Sequence, residues 1–403
     1  MKILTGATLF LVFLKICSSL HPKTNLLFKI VVQTPSQFKA SFPALCSLGY
    51  RRKPLSSARG QLFNLKNFRS REALKLARLI TIEKLQLSCF FIQMPKSLKI
   101  IAFPGSPNLP LFAALQNKYF QDLDLDVSLT TTPSSIYQFQ AFQAGEFDLA
   151  FTAFDNIVAY QEGQGAAKFE HPTDFKVIMG ATQVELSAVV HSSIEKAQDL
   201  KGKSLALDAV GTGFAFVLYA MLEQMGLSMS DYERVAVGAT PERWKSVKEG
   251  QHVGTITIEP FTSIAKAAGF KVLRQSTEAF PVYQGGIVAA RQRWLNEHSD
   301  LNQLFIKGYL KGLAWTLDPA NREAAALLLR KEMPEIQAPV VDAVMTSLLS
   351  PRSGLTPKGA VIPDGMKTVL QLRTQYGSGK SELTDVQKYL ALSDYEAVIA
   401  AGV

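Results

Sequence analysis

Three places in the sequence carry small polar or acidic residues where a buried strand would end and a helix would begin. They are Ser134-Ser135, Thr152 to Asp155, and Asp208 together with Gly211-Thr212-Gly213. The first turn of a helix has unpaired backbone N–H groups and the positive end of the helix dipole, so it can hold a carboxylate, a sulfonate or another polar group. The carboxylates of Asp155 and Asp208 favour a ligand with N–H donors or positive charge. This pattern predicts a binding site for a small polar molecule.

Each of these residues also has an ordinary structural role. Serine and aspartate cap helices, and glycines permit turns. On this interpretation Asp155 is an exposed cap, and its loss would change stability little. Four aromatic residues near the same places either stack on a ring of the ligand or belong to the core, and these are Phe103, Phe154, Phe214 and Tyr283.

Motifs for catalysis, metals and nucleotides are missing or incomplete. No two of the five histidines have the H-x-x-x-H spacing of metal ligands. Gly379-Lys380-Ser381 lacks the upstream glycine of a phosphate-binding loop, because position 374 is Thr. The stretch from Gly211 to Phe216 has the setting of a dinucleotide fingerprint, but Phe216 replaces its third glycine. The sequence therefore predicts no metal, no cofactor and no catalytic residue.

Short apolar runs alternate with helical patterns and predict an α/β fold with mixed, mainly parallel sheets flanked by helices. Predicted strands are 98–103, 125–129, 148–152, 176–179, 187–191, 204–207, 234–237, 255–258 and 271–273. Predicted helices between them are 109–119, 134–142, one from 155, 213–225, 241–249 and 260–268. After residue 290 the pattern is helical, with helices at 291–297, 301–317, 322–331, 338–349, 365–376 and 384–389. We expect this tail to pack on one lobe.

One unit of the pattern occurs twice. Phe139 to Asp155 contains a helix, a glycine stop, a strand and an acidic residue that opens the next helix. Trp244 to Pro260 repeats this order, with Glu259 as the acidic residue. Two lobes built on one plan explain the repeat most simply, although two unrelated units could also produce it.

The basic character of the chain is confined to its N-terminal part. The 403 residues are 47% hydrophobic, as in a globular protein, and carry a formal charge of +9. Residues 1–93 account for +13, however, which leaves −4 for residues 94–403. This distribution argues against nucleic acid as a partner. All three cysteines also precede Met94.

Residues 1–95 are predicted to be an extension outside the fold. Met1 to Leu20 roughly matches a secretory signal, and residues 51–84 have the Arg-rich, acid-poor composition of a transit peptide. Alternatively, Met94 followed at once by a strand is typical of a natural protein start. The protein is therefore expected to be periplasmic or secreted if the extension is a working signal, and otherwise cytoplasmic.

The ordered motifs resemble those of one family. They are Leu98–Pro110, Gly145–Thr152, Ala153–Asn156, Ala209–Phe214 and Glu259–Phe261. Together they resemble the nitrate/sulfonate/taurine-type solute-binding proteins of ABC importers, over about residues 96–390. The superfamily includes the thiamine-pyrimidine precursor synthases of fungi, which carry a cysteine-rich motif, whereas no cysteine follows Met94.

The resemblance implies a type II periplasmic-binding-protein fold, with lobe 1 formed by 96–187 plus 284–403 and lobe 2 by 188–283. It places ligand contacts near Pro104-Gly105, Ser134-Ser135, Thr152 to Asp155, Gly211 to Gly213 and Glu259. It implies a monomer that binds a sulfonate, nitrate or pyrimidine-like solute and delivers it to a permease. A thiamine-precursor enzyme and a cytosolic regulatory protein remain the alternatives.

Overall fold

The computed structural model describes residues 96–402, and the predicted N-terminal extension lies outside the described residues. Within residues 96–402, ten strands form two sheets of five, with strand order β2-β1-β3-β10-β4 in the first sheet and β7-β6-β8-β5-β9 in the second. The strands of the first sheet are β1 (Lys96–Ala102), β2 (Leu125–Thr131), β3 (Leu149–Ala153), β4 (Phe175–Thr182) and β10 (Gly286–Arg291). Those of the second sheet are β5 (Ser187–Val190), β6 (Ser204–Leu207), β7 (Glu233–Ala236), β8 (Gly254–Thr257) and β9 (Lys271–Gln275).

Twelve helices accompany the strands in the described residues. The first seven lie between strands and are α1 (Leu109–Gln116), α2 (Ser135–Ala144), α3 (Phe154–Gln161), α4 (Gly213–Glu223), α5 (Thr240–Lys248), α6 (Phe261–Ala267) and α7 (Ser276–Ala279). The others follow β10 and are α8 (Gln292–Leu317), α9 (Arg322–Glu332), α10 (Ala338–Leu348), α11 (Pro363–Tyr376) and α12 (Ser393–Ala400). The predicted α/β class is confirmed.

Both sheets are mixed, and four of the five strands in each run in the same direction. In the first sheet β1 pairs parallel with β2 and β3, while β10 is antiparallel to β3 and β4. In the second, β6 pairs parallel with β7 and β8, while β5 is antiparallel to β8 and β9. The predicted mixed, mainly parallel sheets are confirmed, and the one reversed strand of each sheet, β10 or β5, is contributed by a chain segment that arrives from the other sheet.

The chain passes between the sheets twice, once between Thr182 and Ser187 and again between Gln275 and Gly286. The two halves of the repeat occupy matching places, since β3 and β8 are both the central strands of their sheets. The predicted boundary between 283 and 284 lies in the second crossover, whereas the one between 187 and 188 lies one residue inside β5. The division into two lobes stays a prediction. Whether the lobes move as separate bodies stays a prediction.

Both faces of the first sheet are buried. Along β10, Ile287 and Ala289 belong to one hydrophobic cluster, and Val288 and Ala290 to the other. The strand therefore has no polar alternation, as expected for a strand covered on both sides. One cluster continues into the second sheet and includes Leu205 and residues of α4, so the core joins the two sheets.

The C-terminal helices agree with the prediction at one point and differ at another. Gln292–Leu317 is divided by a kink at the non-helical residue His298, which is where the predicted helices 291–297 and 301–317 are separated. The tail is not confined to one lobe, however, because α11 packs against both α3 and α4. Helix α11 thereby contacts helices that belong to both sheets. Its residue Arg373 lies next to the site described below.

Candidate functional site

A cleft lies where the carboxyl ends of strands from both sheets meet. Residues that follow β1, β3 and β4 line it from the first sheet, and residues that follow β6 and β8 line it from the second. Its volume is about 90 Å³. One buried water molecule needs about 10–15 Å³ of cavity volume. If each non-hydrogen atom of a ligand takes the place of one water, the cleft has room for a ligand of roughly six to nine such atoms.

The two sheets contact each other directly around this cleft. The Ala239 N–H donates to the Pro133 carbonyl over 2.9 Å, and the Ser106 N–H donates to the Glu259 carbonyl over 3.2 Å. A third contact joins the Ser135 N–H to the carboxylate of Asp208, over 3.2 and 3.3 Å to its two oxygens. These bonds all join a segment of one sheet to a segment of the other, so the two sheets are held together around the cleft.

Most of the cleft wall is apolar. Its apolar side chains are Phe103, Pro107, Phe151, Ala153, Ala181, Val184, Phe214, Ile258 and Ile287. Val184 lies in the crossover after β4 and has a left-handed backbone, with φ of 64°. This conformation is uncommon for a β-branched residue and marks a locally strained position beside the site.

Two charged residues line the cleft, Asp208 and Arg243. Asp208 is half-buried after β6, and its carboxylate lies at the N-terminus of α2, where it accepts from Ser135. This position satisfies part of the positive end of the helix dipole. The N-terminus of α2, which was expected to contact the ligand, therefore already binds the carboxylate of Asp208.

Arg243 of α5 is buried, with 3% of its surface exposed, and forms no ion pair within the described residues. Its guanidinium donates to the Gly238 carbonyl over 2.7 Å, the Ile256 carbonyl over 3.0 Å, and two threonine hydroxyls. Burial lowers the pKa of Arg243 to about 10, while the nearby charge of Asp208 acts in the opposite direction. The cleft therefore carries one positive and one negative side chain.

Asp155 does not belong to the cleft, which corrects the expectation of an exposed helix cap. Its carboxylate receives two hydrogen bonds of 2.6 Å from Nε and Nη2 of Arg373 in α11, and both side chains are only 1% exposed. Nη2 also donates to the Gly211 carbonyl over 3.0 Å, and the guanidinium lies over the ring of Phe216. The ion pair holds the Gly211–Gly213 turn from behind the cleft wall.

The turn before α4 is built as the sequence predicted. Thr212 and Gly213 line the cleft, whereas Gly211 faces solvent beside it. No side chain caps the helix, because the Thr212 hydroxyl donates to the Ala209 carbonyl instead. Gly213 lies against Asp155, and a Cβ added there would be 2.3 Å from that residue's Cβ. Only glycine fits this approach.

The remaining predicted residues divide between the cleft and its surroundings. Gly105 and Thr152 line the cleft, whereas Pro104 lies beside it without lining it. The Ser134 hydroxyl caps α2 by accepting from the Tyr137 N–H. The Glu259 carboxylate accepts from the N–H and the hydroxyl of Ser263.

Two predicted aromatic residues are core residues. Phe154 is fully buried with its ring edge against Tyr389, and Tyr283 is buried and lines a smaller cavity at the crossover. Neither lines the main cleft, which agrees with the alternative that these two rings belong to the core. Phe103 and Phe214 do line the cleft. Their contact with a ligand stays a prediction.

Sequence reasoning missed Arg243 and Arg373. Arg373 lies 218 positions from Asp155, whereas Arg243 bonds residues 3 to 13 positions away. Nothing in the local pattern separates either residue from other basic helix residues.

Two further features concern residues 96–402. Within them, no group of three or more His, Cys, Asp or Glu residues is close enough to hold a metal ion. None of the helices in this part of the chain is both long and apolar enough to span a membrane.

Solved structures share this fold. A protein from Bordetella bronchiseptica RB50 has a TM-score of 0.64 and 19% identity, covering 76% of this chain and 97% of that chain. The periplasmic nitrate-binding protein NrtA from Synechocystis PCC 6803 has a TM-score of 0.61 and 11% identity, covering 76% and 85%. The alkanesulfonate-binding protein SsuA from Xanthomonas axonopodis pv. citri, bound to MOPS, has a TM-score of 0.57 and 18% identity, covering 70% and 92%.

No curated protein sequence matches this chain. The model of the NMT1-like family matches residues 93–330, which is more than half of the chain. The match ends before α11, so Arg373 lies beyond it. The resemblance to nitrate- and sulfonate-type solute-binding proteins is confirmed at the level of family and fold, and the chain belongs to the NMT1-like family with a periplasmic-binding-protein fold.

Proposed function

We propose that this chain is the substrate-binding protein of an ABC-type importer and holds one small polar solute in the cleft between two closing lobes. The observation that carries the proposal is that both sheets line one cleft and hydrogen-bond to each other around it. Contacts from both lobes exist together only in the closed form. A ligand that uses them therefore binds that form more tightly and shifts the population toward it.

The proposed closure uses the two crossovers as hinges, with lobe 1 formed by 96–187 plus 284–403 and lobe 2 by 188–283. The crossovers touch each other, since the Gly285 N–H donates to the Gln183 carbonyl over 2.9 Å. A closed form presents a surface made of both lobes, and such a surface suits recognition by a permease. We propose a monomer that leaves the cytoplasm if the N-terminal extension acts as an export signal.

A non-catalytic role is the better match to the cleft. Its lining residues include no His, Cys, Lys, Ser or Tyr, so Asp208 and Arg243 are the titratable groups there. Arg243 stays protonated at neutral pH with a pKa of about 10. One carboxylate without a second acid or base nearby is a poor basis for general acid–base catalysis.

A thermal-shift screen of the full chain tests the proposal. Sulfonates, nitrate, pyrimidines, amidines and aromatic acids are added one at a time, followed by calorimetry and a turnover assay on each hit. A ligand that binds only the folded state raises Tm by stabilising it by RT ln(1 + [L]/Kd). Saturable binding with unchanged ligand supports a receptor, whereas conversion of the ligand supports the enzyme alternative.

Two substitutions of alanine by phenylalanine test where the ligand binds. Ala153→Phe adds a ring to a cleft-lining position, whereas Ala144→Phe adds the same ring at an exposed position at the end of α2. Loss of the Tm rise in the first variant alone places the ligand in the cleft. An equal rise in both variants contradicts the proposed site.

A further inference from the structure

The charged groups around the cleft leave it with no net charge. Asp155 was a candidate for a second carboxylate in the cleft, but Arg373 neutralises it behind the wall through two bonds of 2.6 Å. Asp208 and Arg243 remain as the charged lining residues. Burying an ion without a partner is costly, so a cleft with balanced charges disfavours a ligand that carries a net charge.

Arg243 has little capacity left for an anion. Four of the five N–H groups of a guanidinium are accounted for by its bonds to Gly238, Thr240, Thr255 and Ile256. It therefore cannot offer the paired N–H fork that recognises a carboxylate or sulfonate. Its charge also lies near Asp208, which already provides a negative charge in the same cleft.

Acceptors and donors are both available at the cleft. The two Asp208 oxygens share one long bond from Ser135, although a carboxylate has about four acceptor sites. The amide groups of Asn108 and Asn156 donate to the Phe103 carbonyl and the Thr152 hydroxyl, which leaves their side-chain oxygens as acceptors at the cleft. The uncapped N-terminus of α4 supplies backbone N–H donors at Gly213 and Phe214.

The space between these groups is small and has aromatic walls. Phe103, Phe151 and Phe214 line it, and the volume of about 90 Å³ corresponds to one ring with a short substituent. A flat apolar body suits such walls, because it buries apolar area at little entropic cost.

From these four observations we infer that the ligand is an uncharged, flat, single-ring molecule whose polar head places an N–H donor beside an acceptor, as in a carboxamide. Its N–H group meets the carboxylate of Asp208, and its acceptor meets the N–H groups that begin α4. The inference rests on the proposed function and narrows the class of solute that the same cleft takes.

Three probes of equal size separate the charge classes. Benzamide, benzoate and benzamidine share one ring and the same number of non-hydrogen atoms, but their heads are neutral, anionic and cationic. Calorimetry on the full chain measures each Kd. We expect benzamide to bind at least about tenfold more tightly than either ion, which corresponds to about 1.4 kcal/mol.

Two carboxylate variants test the assignment of Asp208. Asp208→Asn removes the negative charge from the cleft. This variant should bind benzamide about tenfold more weakly. The Kd of benzoate divided by that of benzamide should fall by at least the same factor. Glu242→Gln is the matched control, because Glu242 is exposed, does not line the cleft and also lies near Arg243. In this control, the ratio of the benzamide and benzoate Kd values should stay within about twofold of the ratio in the unmodified chain.

Each other outcome overturns the inference. Tighter binding of benzoate makes the cleft an anion site, and tighter binding of benzamidine makes it a cation site. Either result leaves the proposed solute-binding function standing. Equal Kd ratios in Asp208→Asn and the unmodified chain show that Asp208 does not contact the head. No binding of any probe overturns the size and ring assignment, while the broader thermal-shift screen decides the proposed function separately.

Discussion

Asp155 and Arg373 are 218 positions apart in the sequence and form a fully buried, two-bond ion pair. Asp155 lies in the first turn of α3 beside the first sheet, and Arg373 lies near the end of α11. The same guanidinium reaches the Gly211 carbonyl, which belongs to the segment that follows the second sheet's β6. One arginine from the tail thus holds together elements of both sheets directly behind the cleft.

Removing one partner of this pair should destabilise the fold strongly. Arg373→Met leaves the Asp155 carboxylate buried without its cation, and Asp155→Asn leaves the guanidinium without its anion. We expect either change to lower the free energy of unfolding by about 3–5 kcal/mol. Urea denaturation followed by fluorescence measures this loss.

The control for the ion pair lies on the same helix. Lys367 and Asp364 form an exposed pair in α11, so Lys367→Met should change stability by less than about 0.5 kcal/mol. The double variant Asp155→Asn with Arg373→Met removes both charges and should lose less than the sum of the two single variants. Additive losses would show that the two charges do not interact.

Two glycines of one turn should respond differently to alanine. A Cβ at Gly213 would lie 2.3 Å from Cβ and 2.5 Å from Cγ of Asp155, whereas one at Gly211 would meet nothing within 4 Å. Gly213→Ala should therefore cost about 1–3 kcal/mol, because the backbone or Asp155 must shift. Gly211→Ala should be neutral or slightly stabilising. Equal Tm values for the two variants would contradict the close approach.

Alanine substitutions at Ser134 and Ser135, at the start of α2, should distinguish helix capping from ligand contact. The Ser134 hydroxyl accepts from the Tyr137 N–H, so Ser134→Ala should cost about 0.5–2 kcal/mol. The Ser135 hydroxyl is buried without a partner among the described residues, so Ser135→Ala should cost less. Its backbone N–H still reaches Asp208 in the variant. A ligand Kd that changes more than about threefold in Ser134→Ala would indicate direct contact instead of capping.

The free energy of unfolding should depend on pH through the carboxyl group of Glu259. Burial raises the pKa of its carboxyl above the ordinary value, although the hydrogen bonds from Ser263 oppose the shift. The folded state therefore binds this proton more readily than the unfolded state. Its contribution to stability is largest below the unfolded pKa of about 4.3 and falls as pH rises through the folded pKa.

The variant Glu259→Gln isolates this effect. Other carboxylates with lowered pKa values, such as Asp231, give the opposite slope in both proteins and cancel in the difference. We expect the stability of the variant relative to the unmodified chain to rise with pH from about 4 to 7. Denaturation at several pH values measures it, and a flat difference would mean that the Glu259 pKa is not raised.

Much of the fold follows from local sequence. Short apolar runs set the strands, and the run 204–207 matches β6 exactly as predicted because it is bounded by polar residues on both sides. Ser134 and Gly145 begin and end α2 by capping chemistry that depends only on neighbours. The strand β10 was missed, because its continuous apolar run directly precedes a long helix and has no alternation.

The candidate site was predictable only in part. Local patterns placed Gly105, Thr152, Asp208, Thr212 and Gly213 at strand and helix ends, and the structure gathers these five residues around one cleft. The sequence by itself therefore determined the α/β class, the repeated unit and the loops that form the cleft. These depend on interactions between residues close together in the chain.

Only the tertiary structure decided which charges the cleft contains. Asp155 and Asp208 look alike in sequence, since each follows a strand and precedes a helix. One is neutralised by Arg373 behind the wall, and the other stays at the cleft beside Arg243. The free energy of a buried charge depends on the partners that packing brings within a few ångströms, and Arg373 comes from a helix 218 positions away from Asp155.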